Sequence, residues 1–496
     1  MKDFIKINDK DNIVIALRDF KMGEHINVDG REVSIKDIIP KGHKIALESL
    51  EQGSRIIKYG ATIGYAKELI DMGSHVHSHN MKTSLEGVLE YSYDKRVVDK
   101  DNTKDRGLTF KGYKRKNGDI GIRNELWIVP TVGCVNGIGE MILKEFKATI
   151  NSEDIDGMEV FKHNYGCSQL GDDHQNTVKI LGDIVKHPNA GGVLVLGLGC
   201  ENNTMDQFIK SLGDYDKDRV KFLVAQDVDD ELEEGIKILS QLFNNMKKDI
   251  REEISISELK IGLKCGGSDG FSGITANPLL GAFSDFLISQ GGTTVLTEVP
   301  EMFGAETFLM ERAKNEEVFN DTVALINDFK NYFIRHEQPV YENPSPGNKE
   351  GGITTLEEKS LGCIQKGGSA EIVDVLKYGE VLERKGLNLL ESPGNDLVAS
   401  TVLGASGCHM VLFTTGRGTP FGSFVPTMKI ATNSELYNKK RRWIDFDAGV
   451  LLKNKSMDEL LEEFIEYVID VSNGKLVNNE KNDFREIAIF KTGVTL

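Results

Sequence analysis

A repeated order of strand, loop and helix begins near residue 118 and leaves few folds open to this chain. Apolar runs of strand length, each ending in a polar or glycine-containing loop, occur at 126–131, 159–162, 192–196, 260–264 and 293–297. The helix predicted to start at Asn277-Pro278 has the residues favoured at a helix N-terminus. Alternating strands and helices favour a mostly parallel sheet covered by helices, so we predict an α/β body.

The N-terminal part of the chain has a different pattern. Residues 1–95 contain short apolar runs about every 8–12 residues with turns between them, which predicts a small, mostly β domain. Residues 96–117 are rich in Asp, Lys and Arg, so we predict a polar linker there. An amphipathic helix followed by a charged run marks another boundary near residue 250. We therefore expect two further domains, 118–250 and 251–496.

The composition excludes several classes of protein. Among 496 residues, 77 Asp and Glu outnumber 60 Lys and Arg, and the net charge of −17 disfavours a protein that coats nucleic acid or anionic membrane. The chain has no apolar stretch of about 18 residues and no signal-peptide pattern at its start. The six cysteines are too few for a disulfide framework. We expect a soluble, cytoplasmic protein that acts on a small molecule, with neither nucleic acid nor membrane as partner.

Reactive side chains follow the predicted strands. Cys134, His163, Cys167 and Cys200 come after strands of the first α/β region, whereas Cys265 and Glu298 follow two strands of the second. The last two belong to one strand–helix–strand unit, so they should face the same crevice at the carboxyl edge of the sheet. Together these six residues form a set from which a soft or mixed metal site could take its ligands, with iron or zinc as the natural metals. The spacing does not decide which of them bind the metal.

Two glycine-rich loops are suited to hold an anion. Gly266–Gly270 follows Lys264 and contains Ser268 and Asp269, and a second loop surrounds Arg417. Free backbone N–H groups beside a cation can bind a carboxylate or phosphate, although a tight turn with an exposed cation has the same pattern. Arg123-Asn124, just before a strand, is ambiguous in the same way.

The segment His75-Val76-His77-Ser78-His79-Asn80 is the most distinctive short motif. On a β-strand alternate side chains share a face, so the three imidazoles should point the same way. Three imidazoles on one face can bind a metal or carry protons. A solvated polar strand edge is the alternative interpretation.

These motifs resemble the altronate/galactarate dehydratase family. The N-terminal pattern, from Gly53 to the His75–Asn80 motif, is similar to the SAF (β-clip) domain that begins those enzymes. The body is similar in order over nearly the whole chain, at Gly112–Asn124, Val132–Asn136, His163–Cys167, Gly197–Glu201, Lys264–Asp269 and Gly416–Gly418. Length and single-chain arrangement are most similar to the altronate dehydratases, with the galactarate dehydratases second.

The resemblance implies a ferrous-iron hydro-lyase. Its domains would be the SAF domain, a dimerising second domain and a Rossmann-like C-terminal domain that carries the metal, in a homodimer. The reaction would convert D-altronate to 2-dehydro-3-deoxy-D-gluconate, with His75 or His77 as a proton carrier. Substrate contacts would come from Arg123, Asn124, Lys264, Ser268, Asp269 and Arg417. The metal ligands would come from Cys134, His163, Cys167, Cys200, Cys265 and Glu298.

Three alternatives stay open. The substrate could be galactarate or a related hydroxy acid, and another divalent metal could replace iron. Three cysteines could instead hold an iron–sulfur cluster whose open iron takes the substrate. A non-catalytic sugar-acid sensor would need an output domain, for which the sequence offers neither a helix-turn-helix pattern nor a basic patch.

Overall fold

The N-terminal domain consists of short strands in small antiparallel sheets. The computed structural model describes residues 2–85, 87–96, 105–150, 154–453 and 455–496. The strands of this domain are β1 (Phe4–Ile5), β2 (Ile13–Ala16), β3 (His25–Val28), β4 (Arg31–Ser34), β5 (Lys44–Ala46), β6 (Arg55–Lys58), β7 (Ala61–Ala66), β8 (His75–Val76) and β9 (Met81–Lys82). One sheet has the order β1-β2-β5-β8, another the order β6-β7-β9, and β3 pairs with β4.

The two faces of β2 serve different cores. Val14 and Ala16 pack inside the N-terminal domain, in a cluster with Phe20. Ile13 and Ile15 point the other way and join a cluster that continues into the C-terminal domain. Because side chains alternate along a strand, one short apolar run both fills the small domain and attaches it to the body.

The second domain has a four-stranded parallel sheet with helices on both faces. Its elements are β10 (Thr109–Lys114), β11 (Ile120–Gly121), β12 (Glu125–Pro130), α1 (Asn136–Lys147), β13 (Gly157–Val160), α2 (Gly171–Lys186), β14 (Ala190–Gly197), α3 (Met205–Leu212), β15 (Val220–Val224), α4 (Glu231–Met246) and β16 (Glu252–Ser255). The sheet order is β13-β12-β14-β15. Leu126 and Ile128 of β12 pack with α1 and α4, whereas Trp127 and Val129 face α2 and α3.

The C-terminal domain has a larger parallel sheet. Its elements are β17 (Lys260–Cys265), α5 (Ala276–Ser289), β18 (Thr293–Leu296), α6 (Glu306–Met310), α7 (Glu316–Arg335), α8 (Pro346–Glu350), α9 (Leu356–Cys363), β19 (Ile372–Leu376), β20 (Gly386–Leu390), α10 (Asp396–Ala405), β21 (Met410–Thr415), β22 (Thr427–Ala431), α11 (Ser434–Lys439), β23 (Phe446–Asp447), α12 (Met457–Ser472) and α13 (Asn478–Lys481). The sheet order is β19-β20-β18-β17-β21-β22-β23. Short 3-10 helices lie at Gly133–Val135, Ala225–Asp227, Ile256–Glu258, Val299–Glu301, Ile364–Gly367 and Ala448–Leu452.

The prediction of a small β domain followed by a parallel α/β body is confirmed. The predicted linker differs from the structure over residues 109–114, which form β10 and pair with β11 and β16. Phe110 of this strand is buried, so a single apolar anchor in a polar stretch fixes it in place. Residues 97–104 of the predicted linker lie outside the described residues. None of the described helices combines the length and apolar character that crossing a membrane requires.

Candidate active site at the interface of the N-terminal and C-terminal domains

The N-terminal domain covers the carboxyl edge of the C-terminal sheet. The loop after β17 and the segment around α8 meet there, since Gly270 N–H donates to the Gly351 carbonyl at 2.7 Å and the Asn348 amide to the Ser268 carbonyl at 2.8 Å. Lys44 of the N-terminal domain donates to the Gly352 carbonyl at 2.7 Å. We call this region the interface crevice. The ligand site predicted at the strand ends therefore lies where the N-terminal and C-terminal domains join.

Three histidines of the N-terminal domain face the interface crevice. His43 precedes β5, and the antiparallel pairing of β5 with β8 brings it beside His75. Nδ1 of His43 lies 3.0 Å from Nε2 of His75, and one nitrogen from each of His43, His75 and His77 lies within 4.8 Å of the others. Nε2 of His43 lies 3.1 Å from the Glu350 carbonyl, and Nδ1 of His77 lies 3.0 Å from Thr354 Oγ1. We call His43, His75 and His77 the histidine triad.

Burial keeps the histidine triad neutral at physiological pH. Burial and the neighbouring rings lower the pKa of His75 to about 3. Burial and nearby Lys44 lower the pKa of His77 to about 4, and burial also lowers the pKa of His43. Neutral imidazoles have a free lone pair, which is the form that ligates metals.

The composition of the triad differs from the sequence-based prediction. His75 and His77 do meet, but the third member is His43, and His79 is exposed with its ring centroid 5.4 Å from that of His75. The strand β8 ends at Val76 and a turn follows, in which Asn80 N–H donates to the His77 carbonyl. The alternation of side chains that a strand over residues 75–79 would give therefore stops after Val76, and His79 does not share the face of His75 and His77. No local spacing marks His43, because only the pairing of β5 with β8 brings it there.

A buried ion-pair network joins the N-terminal domain to α9. The ammonium groups of Lys44 and Lys58 each lie 2.8 Å from the Glu358 carboxylate, and all three side chains are almost completely buried. Burial would raise the pKa of Glu358, but the two lysines outweigh it and lower that pKa to about 2. Glu358 therefore stays ionised and holds the two domains together beneath the histidine triad.

A second buried network lies at the ends of β17 and β18. The thiols of Cys265 and Cys363 lie 3.2 and 3.1 Å from the Glu301 carboxylate and 3.3 Å from each other. Lys359 pairs with Glu301 at 2.8 Å, and Lys366 donates to Cys265 Sγ at 2.8 Å. The two thiols and the carboxylate could hold a metal ion by distance alone. Two ammonium groups already neutralise them, so the set fits a cation poorly.

Four members of this network were not among the predicted site residues, namely Glu301 and three residues of one helical segment. Lys359, Cys363 and Lys366 come from α9 and the 3-10 helix after it. Their spacing of four and three residues places them on one helical face, which is a signal that the sequence contains. Burial would lower the pKa of Lys359, but Glu301 outweighs it and raises that pKa to about 12.

Cys265 and Glu298 face one crevice, as predicted, because Cys265 N–H donates to the Glu298 carboxylate at 3.0 Å. Glu298 also forms ion pairs with Lys264 and with Lys366. Both carboxylate oxygens of Glu298 are therefore occupied by contacts within the protein. The structure does not support the prediction that Glu298 is a metal ligand. Lys264 is likewise enclosed, pairing with Glu298 and Asp396, and is not free to hold a substrate.

The two glycine-rich loops meet, since the N–H groups of Gly416 and Arg417 donate to the Gly267 carbonyl at 3.0 and 2.9 Å. Asp269 is buried and accepts hydrogen bonds from the Thr432 hydroxyl and from Phe271 N–H. Its carboxylate therefore organises the loop, and its predicted contact with substrate is not supported. Arg417 pairs with Glu350 at the crevice rim. The Oγ atom of buried Ser268 has no hydrogen-bond partner among the described residues.

Arg123 and Asn124 lie far inside the protein. Arg123 forms a buried ion pair with Glu480 at 2.7 Å and donates to the carbonyls of Val471 and Lys475. The side chain of Asn124 donates to the Met246 carbonyl and accepts from Arg115. These contacts join the second domain to the C-terminal helices, so both residues stabilise the fold and their predicted contact with substrate is not supported.

The predicted metal-binding set divides between two sheets. Cys134, Cys167 and Cys200 are exposed at the carboxyl edge of the second-domain sheet, whereas Cys265 and Glu298 belong to the C-terminal sheet. His163 is buried, with Nε2 2.8 Å from the Pro130 carbonyl and Nδ1 accepting from Tyr165 N–H. Both ring nitrogens of His163 are occupied, so the structure does not support the prediction that His163 is a metal ligand.

Comparison with known proteins gives the same family over all three domains. Family models described as "Altronate/galactarate dehydratase SAF domain", "D-galactarate dehydratase/Altronate hydrolase, second domain" and "D-galactarate/Altronate dehydratase, C-terminal" match residues 2–84, 112–247 and 256–495.

Full-length relatives agree with these matches. The chain is 61% identical to an altronate dehydratase of Bacillus subtilis (strain 168) over 498 residues, which cover 100% of both proteins. It is 58% identical to an altronate dehydratase of Escherichia coli (strain K12), over 99% of this chain and 100% of that one. It is 34% identical to the galactarate dehydratase (L-threo-forming) of Escherichia coli (strain K12), over 95% of this chain and 93% of that one. The chain therefore belongs to the altronate/galactarate dehydratase family.

Proposed function

We propose that this protein is a hydro-lyase that removes water across C2 and C3 of D-altronate and yields 2-dehydro-3-deoxy-D-gluconate. The observation that carries the proposal is a triad of neutral imidazoles in the interface crevice of a chain that is similar, over its full length, to two altronate dehydratases. Galactarate is the second candidate for the substrate, because the chain is much less identical to a galactarate dehydratase than to the two altronate dehydratases.

The histidine triad fits a divalent metal ion, for which we propose ferrous iron. An N–H on Nε2 of His43, donated to the Glu350 carbonyl, leaves the Nδ1 lone pair directed at Nε2 of His75. Metal-binding histidines in proteins usually have their second nitrogen fixed by a carbonyl in this way. Imidazole also suits iron better than the lysine-neutralised set around Cys265. His43, His75 and His77 would therefore hold the ion.

The reaction needs stabilisation of negative charge on the substrate and transfer of two protons. A divalent ion, when bound, supplies Lewis-acid stabilisation of the charge that develops when the C2 proton leaves. Arg417, at the crevice rim, would attract the substrate carboxylate, and the unpartnered hydroxyl of Ser268 would bind a substrate oxygen. The role that the sequence analysis predicts for His75 or His77 is to carry one of the protons, and it stays a prediction beside the proposed metal binding.

Metal analysis separates the two roles of the histidines. In His77→Ala protein purified without oxygen and loaded with ferrous iron, we expect at least a tenfold loss of metal affinity. His79→Ala is the matched control, since His79 is exposed and adjacent in sequence, and its metal affinity should stay near the wild-type value. If His77→Ala keeps full metal affinity but loses activity, His77 is a proton carrier and the triad is not the metal site.

A panel of hexonates and hexarates tests the substrate. Keto-acid formation in the presence of ferrous iron and a thiol reductant should give a higher kcat/KM for altronate than for galactarate. A reversed order would assign the protein to the galactarate branch of the family. Absence of keto acid from every sugar acid in the panel would contradict the proposed reaction itself.

We further infer a Rossmann-like arrangement of the C-terminal sheet. From β17 the chain builds one half of the sheet through β18, β19 and β20, and then returns to β21 on the other side of β17. Such a reversal forms a crevice outside the strand ends, where open α/β sheets bind ligands. The loops with Ser268 and Arg417 follow β17 and β21, so this arrangement supports their role in substrate binding.

The proposal includes a cytoplasmic homodimer, joined through the second domain as the family resemblance implies. Light scattering of the purified protein tests the assembly, and a mass of one chain would contradict it.

A further inference from the structure

The second domain places three thiols at one edge of its sheet. Cys134, Cys167 and Cys200 follow the neighbouring parallel strands β12, β13 and β14, and all three are exposed. The carboxyl ends of neighbouring parallel strands lie at the same edge, so the three thiol-bearing loops are adjacent. We call these residues the thiol trio. Neither the histidine triad nor the interface crevice includes any of them.

Hydrogen bonds between the loops hold the thiol trio in place. Gly133 N–H donates to the Tyr165 carbonyl at 2.9 Å, and Asn203 N–H donates to the Gly166 carbonyl at 3.0 Å. The amide of Ser168, next to Cys167, donates to the Asn202 side chain at 2.7 Å. The loops that carry the three thiols are therefore arranged before any ligand binds, which lowers the entropic cost of binding one.

Glycines permit this close approach of the loops. Each thiol directly follows a glycine, at positions 133, 166 and 199. Gly166 has a φ of +97°, and a Cβ there would lie 2.0 Å from the Thr131 carbonyl oxygen. A Cβ at Gly199, which has a φ of +127°, would lie 2.7 Å from the Gln226 side chain. Only glycine fits such positions without displacing its neighbours.

The surroundings of the thiol trio include three helix N-termini and an unused buried acceptor. The helices α1, α2 and α3 begin shortly after the three thiols, so their positive N-terminal ends lie at the same edge. Asn203 is completely buried in this loop cluster, and its Oδ1 atom has no hydrogen-bond partner among the described residues. A buried acceptor without a partner is rare in a protein interior, and a bound group would explain it.

The three thiols are too far apart to ligate a single ion together in this arrangement. A metal–sulfur distance of about 2.3 Å would require the sulfurs to lie within about 4.6 Å of each other. In the described part of the chain, the groups of three ligand atoms within 4.8 Å are the histidine triad and Cys265/Glu301/Cys363, and the thiol trio is not among them. All three thiols are also free of disulfide bonds. Thiolates that ligate separate irons of one cluster are held further apart than thiolates on one ion.

We propose that Cys134, Cys167 and Cys200 hold a cubane iron–sulfur cluster, with one thiolate on each of three irons and the fourth iron open to an oxygen ligand. Each thiol loses its proton when it binds. The site is separate from the histidine triad and does not depend on the proposed function of that triad.

Anaerobic metal and sulfide analysis tests the cluster. Full-length protein, purified without oxygen and treated with ferric iron, sulfide and a thiol reductant, should contain about four acid-labile sulfides per chain and absorb visible light. Its iron should equal the sulfide plus any iron that the histidine triad holds. Cys134→Ser, Cys167→Ser and Cys200→Ser should each lower sulfide and absorption at least about fivefold. The matched control is Cys408→Ala, a buried thiol outside the trio, which should keep both. Circular dichroism checks that every variant is folded.

The other outcomes overturn the proposal. Iron or zinc that is bound without sulfide and is lost in the three cysteine variants would make the trio a single-ion site. Wild-type protein that lacks sulfide, and whose metal content the cysteine variants do not change, would show that the trio holds no metal. Variants that keep the wild-type sulfide content would place the cluster elsewhere. His77→Ala should keep the cluster absorption, so failure of the histidine site and failure of the cluster site are distinguishable.

Discussion

Single residues decide which side chains remain available in the interface crevice. Glu298 lies two residues after the end of β18 with a φ of 70° and a ψ of 58°, a left-handed conformation that non-glycine residues rarely adopt. This conformation turns its carboxylate towards Lys264, Lys366 and the N–H of Cys265. Glu298, the acid that the sequence places directly after a strand, therefore neutralises lysines. The imidazoles of the histidine triad remain as the better metal ligands.

His43 is the residue whose role the structure changes most. We expect His43→Ala to lower the affinity for ferrous iron at least about tenfold, because it removes one lone pair and the carbonyl contact that orients it. Isothermal titration under anaerobic conditions measures the affinity. His25→Ala, an exposed histidine of β3, is the control and should bind iron like the wild type. Unchanged affinity in His43→Ala would remove His43 from the site.

Asp183 of α2 should make stability depend on pH. Burial raises the pKa of Asp183 to about 7, only partly opposed by Lys186 and Lys179. In the unfolded chain the pKa is about 4, so the native state favours the protonated form and loses stability as pH rises from about 4 through 7. We expect the free energy of unfolding of Asp183→Asn to exceed that of the wild type by about 1–2 kcal/mol at pH 8, with a higher unfolding temperature, and the two proteins to be equally stable near pH 4. A constant difference across this range would contradict the assignment.

At the scale of elements, α9 connects the domains through two of its faces. Glu358 pairs with Lys44 and Lys58 of the N-terminal domain, whereas Lys359 and Cys363 belong to the network with Glu301. Thr355 caps the start of this helix, since its side chain accepts a hydrogen bond from Glu358 N–H. One short helix therefore sets the position of the histidine triad relative to the strand ends.

Replacing Glu358 should loosen the attachment of the N-terminal domain. In Glu358→Gln the buried Lys44 and Lys58 lose their only carboxylate partner in the described structure, which we expect to cost about 3 kcal/mol. Hydrogen exchange of β5 and β6 should rise accordingly. Glu462→Gln removes an exposed ion pair with Arg106 and should change stability by less than about 1 kcal/mol. Equal exchange in the two variants would show that the buried network does not hold the domain.

At the scale of the whole molecule, the N-terminal and C-terminal domains share one apolar core. Ile13 and Ile15 of β2 and Ile63 of β7 belong to the same buried cluster as Phe271 and Leu279 of the C-terminal domain. Separating the domains would expose this surface to water, at about 25 cal/mol for each Å². A freely hinged module with its own core would lack such continuity.

We therefore expect these two domains to unfold together. Differential scanning calorimetry of the full chain should give no separate transition for the N-terminal domain, since its attachment surface is part of the larger core. The Glu358→Gln variant, with a weakened attachment, should be the first to show an early transition. An early transition in the wild-type protein, assigned to the N-terminal domain by hydrogen exchange, would contradict the shared core.

We could predict from the sequence the element types, the parallel body and the positions of Cys265 and Glu298 at neighbouring strand ends. These follow from local periodicity and from the rule that parallel strands end at one edge. The folded chain was needed to show that His43 joins His75 and His77, that Glu298 pairs with lysines, and that Arg123 is buried against Glu480. The residues of these pairs lie 32 to 357 positions apart along the chain. Local patterns carry no information on contacts of that range, because strand pairing and domain packing create them.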